Sequence, residues 1–262
     1  MQIEFNYTEK IEQALEIVQI AADELRKISK KDMSVNYKNN DLQDIVTNKD
    51  IMTEKRIVEF LSMVYPEDGF ITEETTENDD SKDGVWILDP IDGTTNFAYS
   101  LKDYAISLAY YFKNEPVFGI VCDVSRNQTY LGIKDGGAYL NEEPLEKINE
   151  APFDHSIFDM SLRSVIQFRD NYNVNFDKLV METTAFRSIG SAALGIAHIA
   201  SGDIHFYGSN SLKLWDYAAA RVILEEVGGY IYISEDGGKF GMPHTIMAAT
   251  SKNSVEKFKS FR

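Results

Sequence analysis

Two aspartates three residues apart, Asp89 and Asp92 in "WILDPIDGTTNF", follow an apolar run, Val85 to Leu88, that reads as a buried strand. Carboxylates that close repel each other unless a cation or a shared proton compensates them, so the pair suggests a metal site. Other acids stand at similar places. Glu73 and Glu74 follow the apolar run of "FITEET", Asp216 opens the apolar helix of "KLWDYAAARV", and Asp50 opens another helix. A cluster made of carboxylates selects hard cations such as Mg²⁺, Mn²⁺ or Ca²⁺, because zinc and copper sites recruit His or Cys. None of the four histidines pairs with another at a ligand spacing, which argues against zinc. "DGTTN" adds Gly93 and small hydroxyl residues where the chain can turn into a helix, leaving backbone N–H groups that attract a phosphate. Acids for a metal beside a nest for an anion make a phosphoryl site.

Each acid also has a plainer reading. Asp50 and Asp216 can be helix N-caps, Glu73 and Glu74 part of a solvated loop, and Asp89 and Asp92 turn residues. Their joint occurrence beside "DGTTN" weighs against that reading.

The elements that must position these residues are visible in the periodicity. From Tyr7 to Lys27, Ile11, Ala14, Leu15, Val18, Ala22 and Leu25 recur at three and four residues and predict an amphipathic helix. A second helix is predicted from about Ile51 to Val64, with Ile57, Val58, Leu61 and Val64 inward and Pro66 beyond its end. "YAISLAYYF", "PVFGIVCDV", "QTYLGIK" and "GAYLN", separated by "KNEP", "SRN" and "DGG", predict an antiparallel meander. After Pro144 the pattern alternates: strand "SIFDMSL", helix "GSAALGIAHIASG", strand "IHFY", helix "WDYAAARVILEEVGG", strands "YIYIS" and "TIMAAT". The chain thus divides into an α+β half, 1–145, holding the meander and most candidate ligands, and an α/β half, 146–262, that completes the site. The two are expected to form one compact unit.

Composition limits the partners. A 262-residue chain with 44% hydrophobic residues buries a large core, and its formal charge of −16 repels nucleic acid at long range. No basic patch offsets that charge; "SKK" at 29–31 sits beside acids, and most of the acids, as in "TEETTENDD", serve solubility. No apolar run reaches membrane-spanning length and no leader precedes the first helix, so a cytoplasmic protein with no membrane partner is expected. Cys122, the single cysteine, lies in an apolar strand and reads as a buried inert thiol.

"WILDPIDGTTNF", "ITEET" and "LWDYAAA", with "DIVTNKD" and "RSIGSAALGIAHIASG" in order around them, resemble the signature set of the inositol monophosphatase family, within the Mg²⁺-dependent, lithium-sensitive phosphatases. The resemblance implies a layered α-β-α-β-α sandwich of the inositol monophosphatase and fructose-1,6-bisphosphatase type, commonly a homodimer. It implies that Glu73, Asp89 and the carbonyl of Ile91 hold one Mg²⁺, that Asp89, Asp92 and Asp216 hold a second, and that a looser third ion leans on Glu73. Gly93 and Thr94 would bind phosphate through their N–H groups, and Thr94, Glu73 and Asp50 would position and activate the attacking water. The carbonyl of Ala192 and the carboxylate of Asp92 would meet a substrate hydroxyl.

Two positions depart from the pattern. Inositol-selective members carry a glutamate seven residues before the "WD" aspartate; here it is Ser209, which shortens the hydroxyl clamp and weakens discrimination. Thr72 replaces the family's usual glycine before the two glutamates, a change tolerated unless that backbone needs a positive φ. The expected activity is hydrolysis of inositol monophosphate with broadened specificity. NADP 2′-phosphate is the alternative substrate; fructose 1,6-bisphosphate and 3′-phosphoadenosine 5′-phosphate stand further off. A metal-dependent binding protein without turnover is the reading from another class, and the retained Thr94 argues against it.

Overall fold

The computed structural model describes residues 7–38, 45–74, 77–149, 152–234 and 242–262. Asp44 of "DIVTNKD" and Thr75 and Thr76 of the acidic run lie outside them. The first helix, α1 (Thr8–Arg26), buries Ala14, Ile17, Val18, Ala21, Ala22 and Leu25, the stripe expected from the spacing. The second, α2 (Asn48–Val64), buries Ile57 and Leu61. It begins three residues before the predicted Ile51 because Thr47 caps it: the Thr47 hydroxyl accepts from the Lys49 N–H at 3.1 Å and Asp50 reaches back to the Thr47 N–H at 2.9 Å. Between these helices β1 (Val35–Tyr37) and β2 (Ile45–Thr47) pair as an antiparallel hairpin.

Seven strands then form one sheet in chain order: β3 (Gly69–Thr72), β4 (Gly84–Asp92), β5 (Ala105–Phe112), β6 (Glu115–Asp123), β7 (Gln128–Ile133), β8 (Gly137–Leu140) and β9 (Glu143–Pro144). β3 is parallel to β4, and from β4 onward the sheet is the expected antiparallel meander. One correction concerns β4, which does not stop at Leu88 but carries both aspartates. Asp89 faces Ser107 and Asp92 faces Ala105, so β4 spends one more residue than β5 over that interval. Pro90, which has no N–H for the ladder, sits in the irregularity, and such a bulge re-aims the side chains around it. The chain leaves β4 through Gly93 into α3 (Thr94–Ser100).

The second sheet contains β10 (Ile157–Asp159), β11 (Ala185–Arg187), β12 (Phe206–Leu212), β13 (Tyr230–Ile233) and β14 (His244–Ala249), in the order β11-β10-β12-β14-β13. Its β11-β10-β12 part is parallel, whereas β12, β14 and β13 are antiparallel, so the alternating pattern after Pro144 builds a mixed sheet. The predicted strand "SIFDMSL" shrinks to three residues before α4 (Leu162–Tyr172), and α5 (Phe176–Met181) and α8 (Lys252–Lys259) join α4 as helices not foreseen. The two predicted helices are α6 (Ala192–Ala200) and α7 (Leu214–Glu226).

Strand pleating sorts the core into layers. On β4, Trp86 and Leu88 point to α1 and α2, whereas Val85 and Ile87 point to α6 and α7. The far side of α6 and α7 meets Tyr207, Ile246 and Ala248 of the second sheet, whose other face packs Phe158 and Phe206 against Phe168, Leu179 and Phe258 of the outer helices. The result is helix, sheet, helix, sheet, helix. α7 lies hard against the larger sheet: a Cβ at Gly119 would stand 2.3 Å from the Ala219 carbonyl oxygen, and one at Gly132 would stand 2.6 Å from the Ile223 Cα. Cys122 is fully buried, and burial pushes its thiol up to about 11, in keeping with an inert side chain. Among the described residues no helix is long and apolar enough to cross a membrane.

Candidate active site

The acids come together where β3 and β4 end and where α2 and α7 begin. Glu73 and Glu74 follow the last residue of β3, and Asp89, Ile91 and Asp92 occupy the irregular end of β4. Asp50 and Asp216 do not cap their helices. Each is the third residue, reaching back to a backbone N–H: Asp50 to that of Thr47 at 2.9 Å and Asp216 to that of Lys213 at 2.7 Å. Both therefore satisfy a helix end and still carry a charge into the site.

Electrostatics ties the group together. Burial raises Asp89 well above the ordinary carboxylate range, and the charges of Glu73, Asp92, Asp216 and Asp50 raise it further. Asp216 is raised likewise, by burial and then by Glu73 and Asp92, against the opposing Lys213 N–H. Burial lifts Asp92 to about 6, although the Ser191 hydroxyl and the N–H groups of Ala193 and Ala192, at 2.7 and 3.2 Å, donate to it. Asp50 also stands at about 6, raised by burial and held back by hydrogen bonds from Thr47 and Thr94. Glu74 is lifted to about 7 by burial and by its neighbour Glu73, with Lys38 opposing.

Among the described residues no three His, Cys, Asp or Glu side chains are already drawn together tightly enough to hold an ion. Their oxygens take protein donors instead. Asp89 accepts from the Ile91 N–H at 3.0 Å, and the Lys38 ammonium lies 2.9 Å from both Glu73 and Glu74. Burial works against the Lys38 charge, but the two glutamates overcome it and hold the ammonium above the usual lysine range. The donor set fits a hard divalent cation nonetheless, since it is all oxygen and its mutual repulsion is what such a cation relieves.

Thr94 opens α3. Its hydroxyl lies 3.0 Å from Asp50 Oδ1 and 3.0 Å from the Ile91 carbonyl oxygen, and its single proton serves one of them at a time. Gly93 before it adopts φ +94°, a conformation that costs other residues about 1–2 kcal/mol. The first-turn N–H groups of α3 have no carbonyl four residues back to bond.

On the substrate side the structure separates two expectations. Ala192 is the first residue of α6 and its N–H is committed to Asp92; its carbonyl points along the helix, where one lone pair serves the residue four ahead and the other remains. Ser209 is on β12, 7% exposed, beside Tyr207. Sequence reasoning missed Lys38, Ser191 and Glu54. Glu54 is fully buried one turn after Asp50 and accepts the Glu74 N–H at 2.7 Å, so its spacing from Asp50 on a predicted helix was the available signal.

Fold and site together define a phosphomonoesterase, and the chain belongs to the inositol monophosphatase family, whose model matches residues 6–260. It is 33% identical over 246 residues to the inositol-1-monophosphatase of Bacillus subtilis (strain 168), covering 93% of this chain and 92% of that one. It is 34% identical to the Nus factor SuhB of Haemophilus influenzae, with 84% of each chain covered. The crystal structure of inositol monophosphatase-II from Staphylococcus aureus MSSA476 superposes with a TM-score of 0.81 at 28% identity, covering 97% of this chain and 93% of that one. A further SaIMPase-II structure, with 2′AMP bound, gives the same TM-score at 26% identity and the same coverage.

Proposed function

We propose that this protein is a Mg²⁺-dependent phosphatase that hydrolyses inositol monophosphate and accepts a broadened range of alcohols. The observation that carries this reading is the Thr94 hydroxyl, set 3.0 Å from both a buried carboxylate and the Ile91 carbonyl, at the head of α3 and amid the acid group. Glu73, Asp89 and the Ile91 carbonyl would hold one Mg²⁺; Asp89, Asp92 and Asp216 would hold another, and Glu73 would share in a third. Bound ions of this kind neutralise phosphate oxygens and lower the pKa of a water.

The chain's own residues do the aiming. With the Ile91 carbonyl engaged elsewhere, the Thr94 proton goes to Asp50, and the Thr94 oxygen is left as an acceptor that orients a water jointly with Glu73. Glu73 must give up Lys38 to serve. The N–H groups of Gly93 and Thr94 hold phosphate oxygens, and the remaining lone pair of the Ala192 carbonyl accepts from the substrate alcohol.

A second reading, removal of the 2′-phosphate of NADP or of another nucleotide, is favoured by Ser209, which offers a short hydroxyl where a glutamate would discriminate by charge and reach. The 2′AMP bound to the SaIMPase-II relative points the same way. Phosphate release from inositol 1-phosphate, 2′AMP and NADP, each with Mg²⁺ and with EDTA, tests both. Mg²⁺-dependent release from inositol 1-phosphate supports the first reading, and release chiefly from NADP or 2′AMP supports the second. A folded protein that releases phosphate from none of the three overturns the assignment of these substrates.

A further inference from the structure

Asp159 is a buried carboxylate, 2% exposed, that the catalytic scheme above does not use. It ends β10 in register with Tyr207 of β12, and Gly195 of α6 leaves it room: a Cβ at that glycine would lie 2.7 Å from Asp159 Oδ2. Oδ2 has no hydrogen-bond partner. Oδ1 accepts the Ile189 N–H at 2.9 Å. A buried charge with one oxygen unbonded is destabilising, so its presence calls for a compensating use.

The other end of the same residue is held from the opposite side of the molecule. Asn96, on α3 just after the "DGTT" turn, donates to the Ile189 carbonyl at 2.7 Å and to the Asp103 carbonyl at 2.8 Å. Gly190, at φ +85°, follows, and a Cβ there would meet the Asn96 side chain at 3.0 Å. The next three residues deliver the Ser191 hydroxyl, the Ala192 N–H and the Ala193 N–H to Asp92. The three donors that aim Asp92 thus hang from one residue, Ile189, gripped at its N–H by the smaller sheet and at its carbonyl by the helix that follows the larger one.

We infer that Asp159 is a positioning residue: with Asn96 it clamps Ile189 and thereby fixes the segment whose donors orient Asp92. The inference rests on the metal-site reading given above. Outer partners of metal ligands in other proteins commonly set affinity by about 10- to 100-fold, and this clamp acts one step further out, through the backbone. Asp159→Asn keeps an acceptor for Ile189, whereas Asp159→Leu keeps the bulk and removes it.

The test measures amide hydrogen exchange across residues 189–193 and Mn²⁺ binding by calorimetry, on the full chain and without substrate. Asp159→Leu is expected to speed exchange across the segment and to weaken Mn²⁺ binding about tenfold, with Asp159→Asn within about twofold of wild type on both. A residue that merely filled space would let both variants behave alike. Should Asp159→Leu not fold, Asn96→Ala removes the other grip and must move both readouts the same way. Wild-type exchange and Mn²⁺ affinity in a folded Asp159→Leu or Asn96→Ala protein overturns the clamp. Failure of the wild-type protein to bind Mn²⁺ overturns the metal-site reading instead, and the exchange measurement still decides whether the clamp exists.

Discussion

Asp89 is 2% exposed with Glu73, Asp92, Asp216 and Asp50 acting on it, so its charge destabilises the site unless a cation offsets it. Asp89→Asn is therefore expected to leave the fold intact and to lower turnover by several orders of magnitude. Circular dichroism with phosphate release checks this, and near-normal turnover by the folded variant would remove Asp89 from the metal site. Asp159 gives a prediction of opposite character. Its folded-state carboxyl is raised by burial to about 6, from an ordinary value of 3.8, with the Ile189 N–H opposing. Between those values the folded protein holds a proton that the unfolded chain releases, so stability falls as pH rises through the window and is level above it. Asp159→Asn cannot ionise. It is expected to melt higher than wild type above about pH 6, by an amount equivalent to roughly 3 kcal/mol at most, with the gap closing toward pH 4. Paired melts at pH 4, 5, 6 and 7.5 measure that gap, and a constant gap would contradict the assignment. The acids Asp50, Glu73, Asp89, Asp92 and Asp216 were legible in the sequence because each sits at the end of a periodic segment. Lys38, Ser191 and Asp159 were not, since what marks them is a contact across 30 to 99 positions of chain.

At the scale of elements, the larger sheet and α7 approach so closely that glycine is required between them. A methyl group at Gly119 meets Ala219 backbone at 2.3 Å, and backbone cannot swing aside as a side chain would. Gly119→Ala is expected to cost about 3 kcal/mol and to shift α7 outward, carrying Asp216 with it. Urea unfolding should show the loss, and activity of the remaining folded fraction should drop more than that of a destabilised control remote from α7. The periodic elements were readable for the same reason they are stable: α1, α2 and the meander strands each present an apolar face at a fixed repeat. α4 and α5 escaped because both are short and keep apolar residues such as Leu162, Val180 and Met181 exposed, which blurs the period. The length of β4 escaped because proline and two acids read as the end of a strand, and a bulge that keeps the ladder going past them is settled only by pairing with β5.

For the molecule as a whole, a ligand that binds the folded state and not the unfolded chain stabilises it by mass action. Mg²⁺ at a hundredfold excess over its dissociation constant adds about 2.7 kcal/mol. For a chain of this size that raises the melting temperature by roughly 5–10 °C. EDTA should reverse the shift, and Asp89→Asn should lose most of it; a melt indifferent to Mg²⁺ in wild type would count against the metal site independently of any substrate. The interleaving of layers has a consequence for how the protein is made. The inner face of the larger sheet, Ile71, Val85, Ala109 and Val121, is complete in sequence once β8 and β9 have been synthesised, yet the helices that cover it, α6 and α7, end only at Ala200 and Glu226. During translation that apolar face waits, uncovered, for about as long as the ribosome has already spent on its strands. A nascent chain in that interval exposes the apolar surface that makes incomplete chains prone to aggregate, and slowing elongation between β9 and α7 would prolong that exposure without changing a single residue of the finished protein.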